Sequence, residues 1–412
     1  MRCIVVGGGV VGLCCAYELR RAGAEVTIAE RDACGGAASR GNAGWIVPSY
    51  SAPIAAPGVV RRSLRWMLRG DGPLRIRPRP DSSFLRWCWS FWRSSTPRSF
   101  ERGLKALLAL NRHTIRLFEE LRAAGVKFEL HSTGLLVAAL SQQALEEEVR
   151  EYRKIKAAGY EGDAEIFDDS AIRRLEPALS DKVVGGLHLK AERHVRPESL
   201  ARGLVDYLRA AGAQILEDTE IHDMEPAGPK GWRLNTSRGC LEGDRVVVAA
   251  GVWSARLLSG LGVRIPLEGA KWCSITASGH GTRPRHALKL AEARVTCSPF
   301  VDCVRITGTL DLTGMDASLN RRRLEMVISA AEPYLRDWRP EEPELEWAGL
   351  RPLTPDSLPL IGSVPGLNHL YVATGHGQLG VTLAPATGAA ITPLVLEGRV
   401  VPEVEPFTVD RF

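Results

Sequence analysis

The apolar run Cys3–Val6 predicts a buried strand at the start of the chain. Gly7-Gly8-Gly9-Val10-Val11-Gly12 follows. A helical pattern then runs to about Ala22, with Gly23 placed to end it. Glu25–Ala29 predicts a second strand that stops at Glu30. Leucines and other apolar residues at helical spacing predict one long helix over 98–124. Residues 127–138 predict a strand pair turning at Thr133-Gly134. Residues 142–158 predict a charged helix, and a short helix is expected to end at Pro177. Gly186–Leu189, Ser199–Ala211 and Gln214–Leu216 predict a strand–helix–strand unit that adds a strand to the first sheet. Val246–Val248 predicts another buried strand. Residues 266–346 read as short strands with one helix, Asn320–Tyr334. Leu370–Ala373 predicts a strand, and a helix starts near Val381.

This order implies an α/β (α+β) protein: a Rossmann-like nucleotide-binding domain assembled from discontinuous segments, plus a β-rich cap. Residues 1–80, 193–258 and 347–412 are expected to form the first domain. Residues 81–192 and 259–346 are expected to form the cap. A chain of 412 residues has room for both.

The spacing Gly7-x-Gly9-x-x-Gly12, between a strand and a helix, is a dinucleotide fingerprint. Gly7 permits the tight turn, Gly9 lets a pyrophosphate approach the backbone, and Gly12 lets the helix pack on the strand. The helix N-terminus, at Val10-Val11, offers N–H groups to phosphate. Glu30, with Arg31 after it, would accept the hydroxyls of an adenosine ribose and repel a 2′-phosphate. Residues 31–48 are rich in small residues, with Ser39 and Asn42-Ala43-Gly44-Trp45-Ile46 as candidate walls. A plain NAD domain would go straight into its next crossover helix, so this loop favours FAD. Ala250-Gly251, with Trp253, ends a buried strand where ligands of open sheets bind.

Composition changes the picture in three places. A net charge of +5 is too small to argue for nucleic acid. The nine cysteines form no CxxC pair and no zinc spacing, so buried thiols are expected, with a Cys297–Cys303 disulfide as the lesser alternative. Residues 61–102 hold eleven arginines against three acids, and four tryptophans, Trp66, Trp87, Trp89 and Trp92. That mixture reads as cap helices with core indoles, or as a peripheral contact with the inner face of a membrane. The apolar N-terminus is explained by the nucleotide fold rather than by a signal peptide. No run of about eighteen apolar residues stands out, so no membrane span is expected and the protein is read as cytoplasmic.

Five stretches resemble a known family: GGGVVG with Glu30, SRGNAGWIVP at 39–48, RVVVAAGVWS at 245–254, WAGLRPLTPDSLPLIG at 347–362 and TGHGQLGVTLAPATG at 374–388. They are similar to the D-amino acid oxidase superfamily of FAD-dependent oxidoreductases, and within it to bacterial D-amino acid dehydrogenases and glycine oxidases. The resemblance implies noncovalent FAD, with Ile221 at the adenine and Asn42-Ala43-Gly44 beside the ring system. It implies that Arg351, after Gly349, grips a substrate carboxylate. Gln378 stands where glycine oxidases carry an arginine. The implied activity is oxidation of D-amino acids to imino acids. Oxidation of glycine, sarcosine or a proline-like amino acid is the alternative, and a flavin-carrying subunit of a larger dehydrogenase a second. The implied partners are an amino acid and an electron acceptor (a quinone, a dye-like acceptor or O2), with no nucleic acid and no metal.

The chemistry needs orientation more than a strong base. A guanidinium fork at Arg351 would fix the substrate, unless that arginine pairs with an acid such as Asp356. The loop Gly375-His376-Gly377-Gln378-Leu379-Gly380 and the helix start at Val381-Thr382 would offer backbone N–H groups to charge that gathers on the ring. His376 is either an acid–base group or a hydrogen-bonded wall. Tyr50 and Gln378 are further candidates for the substrate pocket.

Overall fold

The computed structural model describes residues 1–61, 74–77, 79, 81–228, 231–278, 282–338 and 343–412. Its first sheet has six strands in the order Gln214–Leu216, Glu25–Ala29, Arg2–Val6, Arg245–Val248, Leu370–Thr374 and Leu360–Ser363. All are parallel except the last, which runs antiparallel at the edge. The chain moves outward from Arg2–Val6 in both directions, so a crevice opens at the carboxyl ends of the central strands.

Helix Val10–Arg21 returns from the first strand, and helix Gly380–Glu397 crosses it closely. An ideal Cβ at Gly388 would lie 2.5 Å from the Cys14 carbonyl oxygen, so only glycine admits this crossing. Leu13, Leu19, Leu204, Leu383 and Ile391 are fully buried between these helices and helix Pro197–Ala210. Each such side chain contributes about 1.5–3 kcal/mol. Contrary to the expectation of no span, the segment Gly377–Glu397 is long and apolar enough to cross a membrane by length and composition. Here 78% of its span-length window is buried inside the fold.

Among the described residues a nine-stranded sheet forms the second layer. It runs Pro343–Leu353, Glu268–Ala277, Val304–Leu312, Val295–Pro299, Ala287–Leu290, Leu135–Ala139, Gly185–Leu189 and Ala164–Asp168, with Leu74–Ile76 beside Val304–Leu312. The boundary expected at residue 347 falls inside the strand Pro343–Leu353, which pairs along its length with Glu268–Ala277. Leu74–Ile76, placed in the first domain by sequence, also joins this sheet.

Three local readings are corrected, and the expectation of free thiols holds. The helix expected over 98–124 is two helices, Pro97–Asn111 and Thr114–Ala123. Asn111 is drawn into the core, where its amide donates to the Ser51 hydroxyl at 2.8 Å and its carbonyl accepts from Thr114 at 3.0 Å. The strand pair expected at 127–138 divides between sheets: Leu130–His131 pairs with Arg193–Val195, and Leu135–Ala139 joins the large sheet. Gly185–Leu189 likewise lies in the large sheet, so only Gln214–Leu216 of its unit extends the first. All nine cysteines, Cys297 and Cys303 included, are free thiols. Trp66 lies outside the described residues.

Candidate active site

A long cleft, open at its mouth, runs from Glu30 and Ile221 at one end to Arg351 and His376 at the other. Its two ends stand on separate segments at the carboxyl edge of the parallel sheet, where dinucleotides bind in open α/β folds. Val6, Ala29 and Ala249 give it an apolar floor at the strand ends.

The glycines divide by role. Gly7 has φ +109° and lies against the Ala249 carbonyl, and a Cβ on Gly12 would collide with the Gly7 oxygen. A Cβ on Gly9 would meet nothing nearer than the Ser39 hydroxyl at 3.6 Å. Gly9 therefore keeps open the cleft rather than the turn. Helix Val10–Arg21 has no acid in its first turn and two arginines in its last, which aligns with its dipole and leaves its N-terminus suited to an anion. Ser39 accepts the Val10 N–H at 3.1 Å. Glu30 accepts the Gly8 N–H at 2.6 Å and the Asp32 N–H at 3.0 Å, which holds its carboxylate beside the turn. Arg31 lies over the Trp253 ring, 4.7 Å from its centroid, and both border the cleft.

At the other end stand Asn42, Gly377, Gly380 and Val381. Helix Gly380–Glu397 begins with no acid in its first turn and no side-chain cap, and its first residues, Gly380 and Val381, border the cleft. His376 is buried, with Nε2 2.9 Å from the Thr387 hydroxyl. Burial pushes its pKa down to about 3, so the imidazole is neutral at ordinary pH. This geometry supports the hydrogen-bonded wall over the acid–base group.

Arg351 reaches the cleft from strand Pro343–Leu353. Its guanidinium carbon lies 3.5 Å from the centroid of the Trp272 ring. Among the described residues no carboxylate or hydrogen-bond acceptor pairs with it. Asp356 is instead held by Arg411, at 2.8 and 3.2 Å. Burial without a counter-ion lowers the Arg351 pKa to about 9, so the group stays charged at neutral pH and its donors await an anion.

Other residues expected at the site support it from behind. Thr382 donates to the Trp45 carbonyl at 2.8 Å and accepts the Val47 N–H at 3.3 Å. Ser298 donates to the Ala43 carbonyl at 2.7 Å and accepts from the Trp45 indole at 3.0 Å. Gly44, at φ +73°, lies against the Val195 carbonyl, and Gly349 makes room for the Trp347 ring. Gly375 makes a left-handed turn at φ +78°, and Ile46 and Leu379 are core residues. Gln378 is exposed and does not border the cleft. Tyr50 faces Lys289, whose nitrogen is 4.9 Å from its ring centroid, rather than the cleft.

Two residues that matter here were not singled out by sequence. Trp272 carries Arg351, and its indole donates to the Thr307 hydroxyl at 2.6 Å. Thr307 lies 3.0 Å from the Thr296 hydroxyl. Arg305, 1% exposed, donates to the Asn42 carbonyl at 2.9 Å and to Glu198 at 2.6 Å, tying the large sheet to the cleft wall. Trp272→Leu is expected to raise KM about 30-fold with FAD content unchanged, since a desolvated cation–π contact is worth about 2 kcal/mol. Trp272→Phe should recover part of the loss in the same steady-state assay.

A buried carboxylate lies behind this wall. Glu192 accepts from Tyr160 at 2.5 Å and from the Ser49 N–H at 3.1 Å, and its second oxygen has no partner. Burial raises its pKa from 4.5 to about 7. A raised carboxyl pKa stabilises the fold below 4.5, and that contribution is lost as pH rises through about 7. Glu192→Gln should therefore raise stability at alkaline pH by up to about 3 kcal/mol and change it little near pH 4.5. Thermal melts at the two pH values check this.

A parallel sheet with an anion-ready first turn, an acid after its second strand and a free arginine across the cleft defines a dinucleotide-dependent oxidoreductase. The chain belongs to the FAD dependent oxidoreductase family (DAO), whose pattern matches residues 2–394. It is 31% identical to a D-amino acid dehydrogenase of Cereibacter sphaeroides over 98% of this chain and 93% of the relative. It is 30% identical to one of Vibrio vulnificus over 96% of each. A glycine oxidase from Geobacillus kaustophilus shares the fold, with a TM-score of 0.79, 22% identity and coverage of 100% of this chain and 99% of the other. FAD is thus the cofactor, and the residues fit it. Gly9, the helix N-terminus and Glu30 would hold its adenosine diphosphate end, and Asn42 with the Gly377–Val381 backbone its ring end.

Proposed function

We propose that the protein is a dehydrogenase of D-amino acids, converting them to imino acids that hydrolyse to 2-oxo acids and ammonia. The observation that carries the reading is Arg351: a part-buried guanidinium, stacked on Trp272 and otherwise unpaired among the described residues, at the ring end of a dinucleotide cleft. The relatives named D-amino acid dehydrogenase support it across nearly the whole chain.

Bound FAD supplies the acceptor for hydride from the substrate Cα. The chain supplies position and electrostatics. Arg351 forms two parallel bonds to the carboxylate and so decides which hydrogen faces the ring. Trp272 restrains that guanidinium from one side. His376, neutral and tied to Thr387, shapes the wall and takes no proton at working pH. The ammonium proton must therefore leave to solvent before the Cα–H bond breaks. The first N–H groups of helix Gly380–Glu397 offer positive partial charge at the ring end.

The same arginine would hold the carboxylate of glycine or of a secondary amino acid. A panel of D- and L-amino acids, glycine, sarcosine and both prolines, assayed with a redox dye and with an oxygen electrode, separates the readings. Preference for D-amino acids with fast dye reduction and little peroxide supports the proposal. Preference for glycine or secondary amines with robust peroxide overturns it.

A further inference from the structure

Helix Ser82–Ser94 buries Phe84 and Trp87 and leaves a second apolar face in water. Leu85, Trp89 and Trp92 are 59%, 58% and 55% exposed. Their i, i+4, i+7 spacing makes one stripe, since each step returns to nearly the same side of a helix. The Trp89 and Trp92 rings rest on each other, centroids 5.0 Å apart. Arg86 and Arg93 form a parallel row about a quarter-turn away on the same helix. Arg98 and Arg102 continue the positive surface onto the next helix, Pro97–Asn111. All four arginines are exposed, and none forms an ion pair among the described residues. Two acids on these helices and their caps are engaged elsewhere: Asp81 caps its helix through Ser83, and Glu101 pairs with Lys105 at 2.9 Å.

The helix is held firmly from its buried side. The Trp87 indole donates to the Leu353 carbonyl at 3.1 Å, and Trp87 packs with Ala270, Leu312 and Leu353 of the large sheet. The exposed stripe is thus displayed on a fixed support.

We propose that helix Ser82–Ser94 docks the protein onto the surface of a bilayer containing anionic lipid, with Leu85, Trp89 and Trp92 in the headgroup layer. Exposed indoles beside unpaired arginines match an apolar layer under negative headgroups. Three side chains bury at most roughly 500 Å². That is less than the roughly 800 Å² per partner of a stable protein interface, but it suffices for shallow insertion strengthened by charge. The contact is peripheral: the helix lies in the surface plane and spans nothing.

The test uses the full-length flavoprotein in vesicle sedimentation. Phosphatidylcholine vesicles with phosphatidylglycerol are compared with phosphatidylcholine alone, across a range of salt. The wild type should bind the anionic vesicles and be released by salt. Arg86→Gln with Arg93→Gln should weaken binding roughly 30-fold. Trp89→Ser with Trp92→Ser should weaken it by more than about 10-fold. Both variants should keep wild-type melting temperature, FAD content and turnover with a soluble dye, which separates this proposal from the assignment of activity. Absence of wild-type binding, or variants that bind as the wild type does, overturns the proposal. So does a concentration-dependent dimer that disappears in the tryptophan variant while no vesicles are bound, since the stripe would then be a face between copies.

Discussion

Arg351→Ala lowers kcat/KM for the amino acid roughly 10²- to 10³-fold, carried mainly by KM, while FAD content and melting temperature stay near wild type. The size follows from removing one partner of a desolvated ionic contact, which costs about 2–5 kcal/mol. The fold is spared because the Arg351 side chain makes no ion pair or hydrogen bond to the described residues and rests on the Trp272 ring. Losing it leaves no protein acceptor unsatisfied. Arg351→Lys should recover only part of the loss, since an ammonium keeps the charge but not the two-bond fork or the planar stack. Steady-state kinetics beside an absorbance measurement of bound FAD decides the matter. An unchanged KM and kcat would remove Arg351 from the site.

The second large effect separates two glycines of one motif. Gly9→Val should yield a folded protein that binds FAD roughly 10- to 100-fold more weakly. Gly9 borders the cleft, and a Cβ there meets nothing nearer than the Ser39 hydroxyl at 3.6 Å. Gly12→Val should instead destabilise the fold by about 3 kcal/mol, because its Cβ runs into the Gly7 carbonyl, which is backbone and cannot turn aside. Melts of the FAD-free proteins distinguish the two. Gly9→Val should match the wild type without cofactor, and Gly12→Val should fall below it.

The sequence reading reached as far as local signals reach. The first turn, Glu30, the strand Arg245–Val248 and the helix beginning at Gly380 all announce themselves within a dozen residues, through glycine spacing and apolar runs. Arg351 was legible through the residues around it. What was hidden depends on contacts between distant segments. Trp272 gains its role from lying beside Arg351 across two paired strands, 79 residues apart in number (351 − 272), and strand Glu268–Ala277 is buried on both faces with no alternation to mark one. Arg305 meets Glu198 across a separation of 107 residues. The break at Arg112–His113 was masked by leucines that keep helical spacing on both sides, while its cause, Asn111 bonded to Ser51, lies 60 residues away. The boundary at 347 misled for the same reason: motif similarity begins at Trp347, but hydrogen bonding of the strand begins at Pro343.

The site also shows why residue type alone misleads about role. His376 looks like an acid–base group in a glycine loop, yet burial keeps it neutral and its Nε2 is engaged by Thr387. Gly349 and Gly375 look like cofactor glycines, yet one admits the Trp347 ring and the other sets a turn. In each case packing decides, and packing is settled by residues far away in sequence.

The central claim is that this cleft presents a D-amino acid to FAD with its carboxylate on Arg351. Anaerobic titration of the purified protein with matched D- and L-amino acids, followed by the visible absorbance of FAD, tests it most directly. The account predicts rapid bleaching by D-enantiomers, little by L-enantiomers, and a large rise in the D-amino acid concentration needed when Arg351 is alanine. Bleaching by L-enantiomers or secondary amines alone, or bleaching indifferent to Arg351, would contradict it.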